Sequence, residues 1–104
     1  MRGHLEMLVL SALKRGEGHG FEILKRLEAS GSGALKLKEG SLYPALYRLE
    51  AAGLIKGTWE KETGRRGPRR RVYALTGKGG KRLEESRGEW ETLVRVIGGI
   101  LATG

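Results

Sequence analysis

The densest charge in the chain is the stretch RRGPRRR, which places five arginines within seven residues. These residues are Arg65, Arg66, Arg69, Arg70 and Arg71. Guanidinium groups this close together repel one another, and a nucleic-acid backbone offsets that repulsion because binding releases its counterions. The alternative interpretation is a solvated, flexible loop. The formal net charge of +8, with a pI of about 10.2, suits a polyanionic partner if the charge is concentrated on one face.

The residue types that catalysis needs are scarce. The sequence has no cysteine and no aspartate, and its only imidazoles are His4 and His19. It therefore lacks disulfides, thiolate metal sites, a cysteine nucleophile and the usual triads. It also has no phosphate-binding loop and no metal-ligand spacing. We expect no catalytic residue, no metal and no cofactor, and we interpret the His19–Gly20 pair as a structural turn.

A helix beginning near residue 41 places hydroxyl and phenol groups beside the arginine cluster. Ser41 is a plausible N-cap, which puts Pro44 in the first turn, and Gly53 ends the helix. The apolar residues Leu42, Ala45, Leu46, Leu49 and Ala52 share one face. The opposite face carries Ser41, Tyr43, Pro44, Tyr47 and Arg48. These groups suit phosphates and base edges in a major groove; alternatively, the tyrosines cover the rim of the core.

Two further helices precede this one, and a hairpin follows it. The first helix carries an apolar stripe of Leu5, Leu8, Val9, Ala12 and Leu13. The second starts at about Gly20, with Phe21, Leu24 and Leu27 predicted inward and Lys25, Arg26 and Glu28 outward. LKLKE, at 35–39, predicts a short strand or an extended connection. LIKGTWEKE and RRVYALT predict the two strands of a β-hairpin, and Thr76 is expected to cap the last helix.

This order predicts an α+β, mainly α, winged helix-turn-helix fold. It comprises three helices, a β-hairpin wing and a C-terminal dimerisation helix. We expect residues 1–76 to form the DNA-binding part and residues 77–104 the dimerisation helix, together making one compact domain. The apolar run near the N-terminus is broken by Glu6, and no segment is long enough to span a bilayer. We therefore expect a cytoplasmic protein.

The last helix has an apolar stripe wide enough for its own domain and a partner. Trp90, Val94, Ile97 and Leu101 recur at intervals of 4, 3 and 4 residues. The predicted dimer interface comprises Leu5, Leu8, Leu83, Trp90, Leu93, Val94, Ile97, Ile100 and Leu101. A dimer sets two recognition helices roughly 34 Å apart, one turn of duplex. Trp90 is either a core anchor of the dimer or, with Val94, the wall of a pocket for a small aromatic or phenolic effector.

GSLYPALYRLEAAGLI, followed by GRRGPRRRVYALTGKG, resembles the PadR family of bacterial transcriptional regulators, in its compact branch with a short last helix. LVLSAL and HGFEILKRLE resemble the family's first two helices. The resemblance implies a homodimeric repressor that exchanges its last helix between protomers and binds pseudo-palindromic operators. It places Ser41, Tyr43, Pro44 and Tyr47 on the recognition helix and residues 65–71 on the wing. A tyrosine is common where Phe21 stands, so one phosphate contact of the family lacks its hydroxyl here.

The preferred hypothesis is a repressor that binds double-stranded DNA as a homodimer, relieved by an aromatic effector. The predicted DNA-binding residues are His19, Lys38, Ser41, Tyr43, Pro44, Tyr47, Arg48, Arg65, Arg66, Arg69, Arg70 and Arg71. One alternative is a winged-helix protein–protein adaptor whose basic wing binds an acidic partner. Another is an architectural protein that binds DNA without sequence preference.

Overall fold

Four helices and three short strands make up the described part of the chain. The computed structural model describes residues 2–30, 39–61 and 67–103. The helices are α1 (Arg2–Lys14), α2 (Gly20–Ser30), α3 (Glu39–Ala51) and α4 (Gly77–Thr103), and the strands are β1 (Gly18–His19), β2 (Ile55–Trp59) and β3 (Arg71–Leu75). The predicted winged helix-turn-helix fold is confirmed. The connection expected at 35–39 lies largely outside the described residues.

The three strands form one antiparallel sheet in the order β1–β3–β2. Strands β2 and β3 are the predicted hairpin, with Ile55 opposite Leu75 and Trp59 opposite Arg71. Strand β1 was not predicted; it pairs Gly18 with Tyr73. The glycine-rich link before α2 therefore also fixes the start of α2 against the wing.

The core is apolar and joins the first three helices to the sheet and to the start of α4. Its fully buried large side chains are Val9, Ile23, Leu42, Leu46, Leu49 and Ile55. The predicted inner face of α3 is confirmed for Leu42, Ala45, Leu46 and Leu49, whereas Ala52 follows the helix and is exposed. This close packing holds α3 with its other face outward.

The predicted orientation of α2 was wrong at two positions. Phe21 is 50% exposed, because Ile23, Leu24 and Leu27 take the inner face and Phe21 lies about 110° from their centre around the helix. Lys25 instead places its Nζ 4.6 Å from the Phe21 ring centroid. Arg26, expected in solvent, donates to the carbonyls of Ala12, Gly16 and Glu17. It therefore satisfies carbonyls at and beyond the end of α1.

Helix α3 begins at Glu39, two residues before the predicted cap Ser41. Pro44 therefore lies in the second turn, where it cannot donate to the Gly40 carbonyl and removes one hydrogen bond of the helix. The predicted end of α3 at Gly53 is confirmed. Gly53 has φ +76°, Gly53 N–H donates to Glu50 O, and Leu54 N–H donates to Leu49 O, each at 3.0 Å. These two bonds are a Schellman motif, which favours glycine.

Helix α4 starts directly after the predicted cap Thr76, and its C-terminal part extends beyond the packed core. Thr76 Oγ1 accepts from Gly79 N–H at 3.0 Å and donates to Gly53 O at 2.7 Å. The start of α4 is therefore tied to the end of α3. Residues 87–102 are all exposed. Among the residues with described structure, no helix is long and apolar enough to cross a membrane.

Candidate nucleic-acid interface

The outer face of α3 presents aromatic hydroxyl groups to solvent. Tyr43 is 49% and Tyr47 is 77% exposed, and Ser41 and Pro44 are exposed beside them. Since leucines of the same helix are buried on the opposite side, the two phenols are held at fixed positions on a rigid element. The face can donate hydrogen bonds to phosphates or base edges and pack against base methyl groups.

A cleft joins this face to the base of the wing. It has a volume of about 360 Å³ and is lined by His19, Gly20, Phe21, Tyr43, Arg69, Arg70, Arg71 and Tyr73. Five of the residues predicted from the sequence to bind DNA therefore come together at one place: His19, Tyr43, Arg69, Arg70 and Arg71. Tyr43 packs so closely against Gly20 that an added Cβ would lie 2.8 Å from its hydroxyl oxygen. The glycine lets α3 approach the start of α2.

His19 caps α2 and faces the wing. Its Nδ1 accepts from Glu22 N–H at 3.3 Å, and Glu22 Oε1 accepts from His19 N–H at 3.2 Å. This reciprocal arrangement is a capping box with histidine as the cap. His19 Nε2 lies 3.1 Å from Glu22 Oε1 and 2.8 Å from Arg70 Nη1. Because a guanidinium can only donate, Nε2 accepts in the contact with Arg70, and this contact belongs to the tautomer with its proton on Nδ1, whereas the bond from Glu22 N–H belongs to the other tautomer. The imidazole of His19 therefore connects the start of α2 to the wing.

Glu60, just after β2, fixes the base of the wing. Its backbone N–H donates to Arg70 O at 2.8 Å, its side-chain Oε1 accepts from Arg70 N–H at 3.0 Å, and its carbonyl accepts from Arg69 Nε at 3.0 Å. Both arginines remain exposed. Glu60 thus holds the guanidinium of Arg69 through Nε and holds Arg70 through its backbone, while the guanidinium of Arg70 contacts His19. Arg65, Arg66 and Lys38, which were also predicted to bind DNA, lie outside the described residues.

Two other predicted DNA-binding arginines are engaged by carboxylates of the same chain. Arg48 Nε lies 3.0 Å from Glu6 Oε1 of α1, and Arg71 Nη2 lies 2.6 Å from Glu50 Oε2 of α3. The hydrogen bond that Arg71 donates to Glu50 raises the pKa of Arg71 above its usual value. Burial raises the pKa of neighbouring Tyr73. Neither pair was predicted, because nothing in the local sequence joins residues 42 or 21 positions apart.

The apolar stripe of α4 is open along its outer half. Leu93, Val94, Ile97 and Leu101 are 49%, 52%, 45% and 74% exposed, and Trp90 is 45% exposed. Val96, absent from the predicted stripe, is also 52% exposed. Leu83 was predicted to lie in the dimer interface, but it is 4% exposed and packs in the chain's own core. Little of its surface is therefore available to a partner. Leu5 and Leu8 are half-buried against the same core.

Features that would indicate metal chemistry are missing from the part of the chain that the structure describes. Within residues 2–30, 39–61 and 67–103, no group of three histidine, cysteine or acidic side chains could hold a metal ion. The cleft instead concentrates guanidinium, imidazole and phenol groups, which bind anions and aromatic rings.

Comparison with known proteins links this geometry to a regulatory family. The family model of the transcriptional regulator PadR-like family matches residues 9–85. A transcriptional regulator from Clostridium thermocellum is 35% identical, with a TM-score of 0.83 over 93% of this chain and 89% of that one. A PadR family regulator from Clostridium difficile is 34% identical, with a TM-score of 0.81 over 94% and 98%. One from Eggerthella lenta is 33% identical, with a TM-score of 0.83 over 99% and 86%. No curated protein sequence matches significantly.

Proposed function

The chain belongs to the PadR family of transcriptional regulators, and we propose that it represses transcription by binding a pseudo-palindromic operator as a homodimer. In this proposal each α3 enters a major groove, and each wing follows the adjacent phosphate backbone or minor groove. The recognition surface consists of Ser41, Tyr43, Pro44 and Tyr47. The backbone contacts come from Arg69 and Arg70, with His19 at the start of α2.

One observation carries the proposal: Tyr43, Arg69 and Arg70 line a single cleft. A helix that reads bases and a wing that holds phosphates must face the same duplex, and the shared cleft supports this proposal because Tyr43 and the two arginines lie on one side of the domain. Because the recognition face stands on buried leucines and the wing base on Glu60, both surfaces are preorganised before DNA arrives. Preorganisation reduces the entropic cost of binding.

The outer half of α4 supports the dimer. Its exposed apolar residues other than Val96 fall within about 120° of the helix circumference, and Val96 widens this stripe to about 160°. A second copy of the chain would cover this stripe and set two α3 helices about one duplex turn apart. Leu93, Val94, Ile97 and Leu101 form the centre of the proposed interface, with Trp90 and Ile100 beside them.

The proposal is tested by mapping protected DNA upstream of the protein's own gene. The protected site and a scrambled duplex of equal length are then titrated by fluorescence anisotropy at several stated salt concentrations. With about 3–5 phosphate contacts per protomer, we expect operator affinity to fall about 10³- to 10⁵-fold between 50 and 200 mM salt. Equal affinity for both duplexes would indicate an architectural DNA-binding protein. Affinity for neither duplex, with capture of an acidic protein, would indicate an adaptor.

We also propose that a flat aromatic effector relieves the repression. This proposal is supported by the position of Trp90 and Val94 on the same exposed stripe of α4, where two protomers would meet. An effector bound between protomers would alter the spacing of the two recognition helices and so the operator affinity. The measurement is the quenching of Trp90 fluorescence by a panel of planar aromatic compounds, made in a Trp59→Phe background. If none of the compounds quenches Trp90, such effectors are excluded.

A further inference from the structure

The guanidinium of Arg71 joins three elements. Arg71 begins β3, and its Nη2 lies 2.6 Å from Oε2 of Glu50 in the last turn of α3. The same guanidinium lies over the ring of Trp59 at the end of β2, with its central carbon 5.3 Å from the ring centroid. A single side chain thus connects both strands of the wing to the helix proposed to read DNA.

The backbone of β2 leaves room for this connection. Trp59 is opposite Arg71 in the hairpin, and Gly57 is opposite Tyr73. Successive side chains alternate between the two faces of a sheet, so Arg71, Trp59 and Gly57 share the face toward α3. A Cβ on Gly57 would lie 2.6 Å from Arg71 Nε. The arginine therefore crosses β2 at the one point where that strand has no side chain.

Arg71 differs from its neighbours in how much of it a phosphate could reach. The side chains of Arg71 and Glu50 are 33% and 32% exposed, whereas Arg69 and Arg70 are exposed. The guanidinium groups of Arg69 and Arg70 contact the Glu60 carbonyl and the His19 ring, and neither contact involves a carboxylate. A phosphate approaching Arg71 must displace or face the Glu50 carboxylate, which carries the same sign of charge. The ion pair within the protein occupies the guanidinium that DNA would need.

We propose that Arg71 is a positioning residue and not a phosphate ligand: held by Glu50 and Trp59, it sets the angle of the wing against α3. The correct angle brings Arg69 and Arg70 to the backbone while Tyr43 and Tyr47 face the bases. This inference rests on the proposed function. It assigns Glu50, Gly57 and Trp59 to DNA recognition, although none of them is placed at the DNA itself.

Replacing Glu50 by glutamine separates the two roles, because they predict opposite results. If Arg71 positions the wing, Glu50→Gln breaks the connection and weakens operator binding by about three- to tenfold. Binding to scrambled DNA changes less than twofold, since non-specific contacts do not require one wing angle. If Arg71 is a phosphate ligand, Glu50→Gln removes a competing negative charge and tightens binding to both duplexes. Glu85→Gln, an exposed change of equal charge on α4, corrects for net charge.

Together with Glu50→Gln, the Arg71→Gln variant and the Glu50→Gln/Arg71→Gln double variant form a double-mutant cycle. A positioning role predicts that both single variants and the double variant lose operator affinity to about the same extent, because each breaks the same connection. A ligand role predicts that Arg71→Gln weakens operator and scrambled DNA equally and that the two effects add. That additive pattern, or tighter binding by Glu50→Gln, would overturn the proposal.

Trp59 fluorescence in a Trp90→Phe background gives a readout that needs no DNA. We expect Glu50→Gln and Arg71→Gln to shift the Trp59 emission alike, while Glu85→Gln leaves it unchanged and circular dichroism reports an intact fold. Unchanged emission in both variants would contradict the connection itself. If the wild-type protein shows no operator preference, the proposed function fails, and this fluorescence test still decides whether Arg71 fixes the wing. If Glu50→Gln unfolds, Arg71→Gln alone decides, because a positioning role predicts loss of operator affinity with little change on scrambled DNA, whereas a ligand role predicts equal loss on both.

Discussion

Tyr43 and Arg70 line the same cleft, but they offer DNA different chemistry. A guanidinium attracts any phosphate regardless of sequence, whereas in the proposed complex a phenol on the outer face of α3 meets base edges. Replacing both Arg69 and Arg70 by alanine should therefore weaken binding to operator and scrambled DNA alike, by about 10- to 100-fold, and lower the salt slope by about 2–4 for the dimer. Anisotropy titrations at three salt concentrations measure both quantities.

Tyr43→Ala should instead reduce the preference for the operator. The expected loss in the ratio of operator to scrambled affinity is about fivefold or more, with little change in the salt slope. Tyr43→Phe removes only the hydroxyl and keeps the packing against Gly20.

The control for the Arg69→Ala/Arg70→Ala variant is Arg15→Ala/Arg82→Ala. It removes two exposed arginines outside the cleft and so makes the same change in charge. Equal losses on both duplexes for every variant would contradict this division between the two residue types.

Residue environments were predictable where they depend on nearby sequence. The exposure of Tyr43 and Tyr47 followed from the leucine spacing of one helix. The engagement of Arg48 by Glu6 and of Arg71 by Glu50 did not, because each pair forms only when separate elements pack together. Phe21 was assigned to the core for its hydrophobicity, but the helix geometry gives that face to Ile23.

At the scale of elements, the turn between α3 and β2 depends on one glycine. Gly53 has φ +76°, a left-handed conformation that costs other residues about 1–2 kcal/mol. Gly53→Ala should lower the free energy of unfolding by about that amount, and Gly53→Asn by less. Gly88→Ala, in the exposed part of α4 with no heavy atom near its Cβ position, should raise it by up to about 1 kcal/mol. Urea denaturation compares the variants; a loss of stability in both would contradict the conformational explanation.

The contact between α1 and α4 should carry a pH dependence. Lys14 Nζ lies 3.0 Å from Glu84 Oε1, and this hydrogen bond lowers the pKa of Glu84 from its ordinary value of 4.5. A lowered carboxyl pKa stabilises the fold above the unfolded-state value, and the contribution is lost as the pH falls through the folded-state value. Glu84→Gln should therefore melt below the wild-type protein at pH 6, and the small difference should vanish near pH 3.

Glu85→Gln is the matched control for this pair, since it is exposed and removes the same charge one residue away. It should follow the wild-type melting temperature more closely than Glu84→Gln at pH 6. A difference between wild type and Glu84→Gln that persists unchanged at pH 3 would show that the ion pair is not its source.

Most elements were predictable because their signals are local. Apolar periodicity predicted the helices, and alternating residues predicted the hairpin. Gly53 predicted the end of α3, and Thr76 predicted the start of α4. Strand β1 was missed because its two residues are defined only by pairing with β3. The start of α3 was placed two residues late because Ser41 is a good cap by residue type.

At the scale of the whole molecule, α4 divides the chain into a packed domain and a projecting arm. The first turns of α4 are anchored by Thr76 and by Leu83 in the core, whereas residues 87–102 lie outside it. The sequence predicted the apolar stripe, and its side chains are exposed in the part of the chain that the structure describes. A regulator with two recognition helices needs a rigid link between them, and this arm has both the length and the apolar surface to provide it.

Ile97→Glu should break that link. A charge in the centre of the stripe cannot be buried against a second copy without a large desolvation cost, so light scattering should report a mass falling from about twice the 11.4 kDa chain to that of one chain. Operator affinity should fall at least about 100-fold, because a monomer loses one of its two half-site contacts. Thr92→Glu adds the same charge on the opposite side of α4 and should remain dimeric. A wild-type protein that is monomeric at micromolar concentration, or an Ile97→Glu variant that still dimerises, would mean that the stripe serves another purpose and that the two halves of the operator are not read by one linked pair.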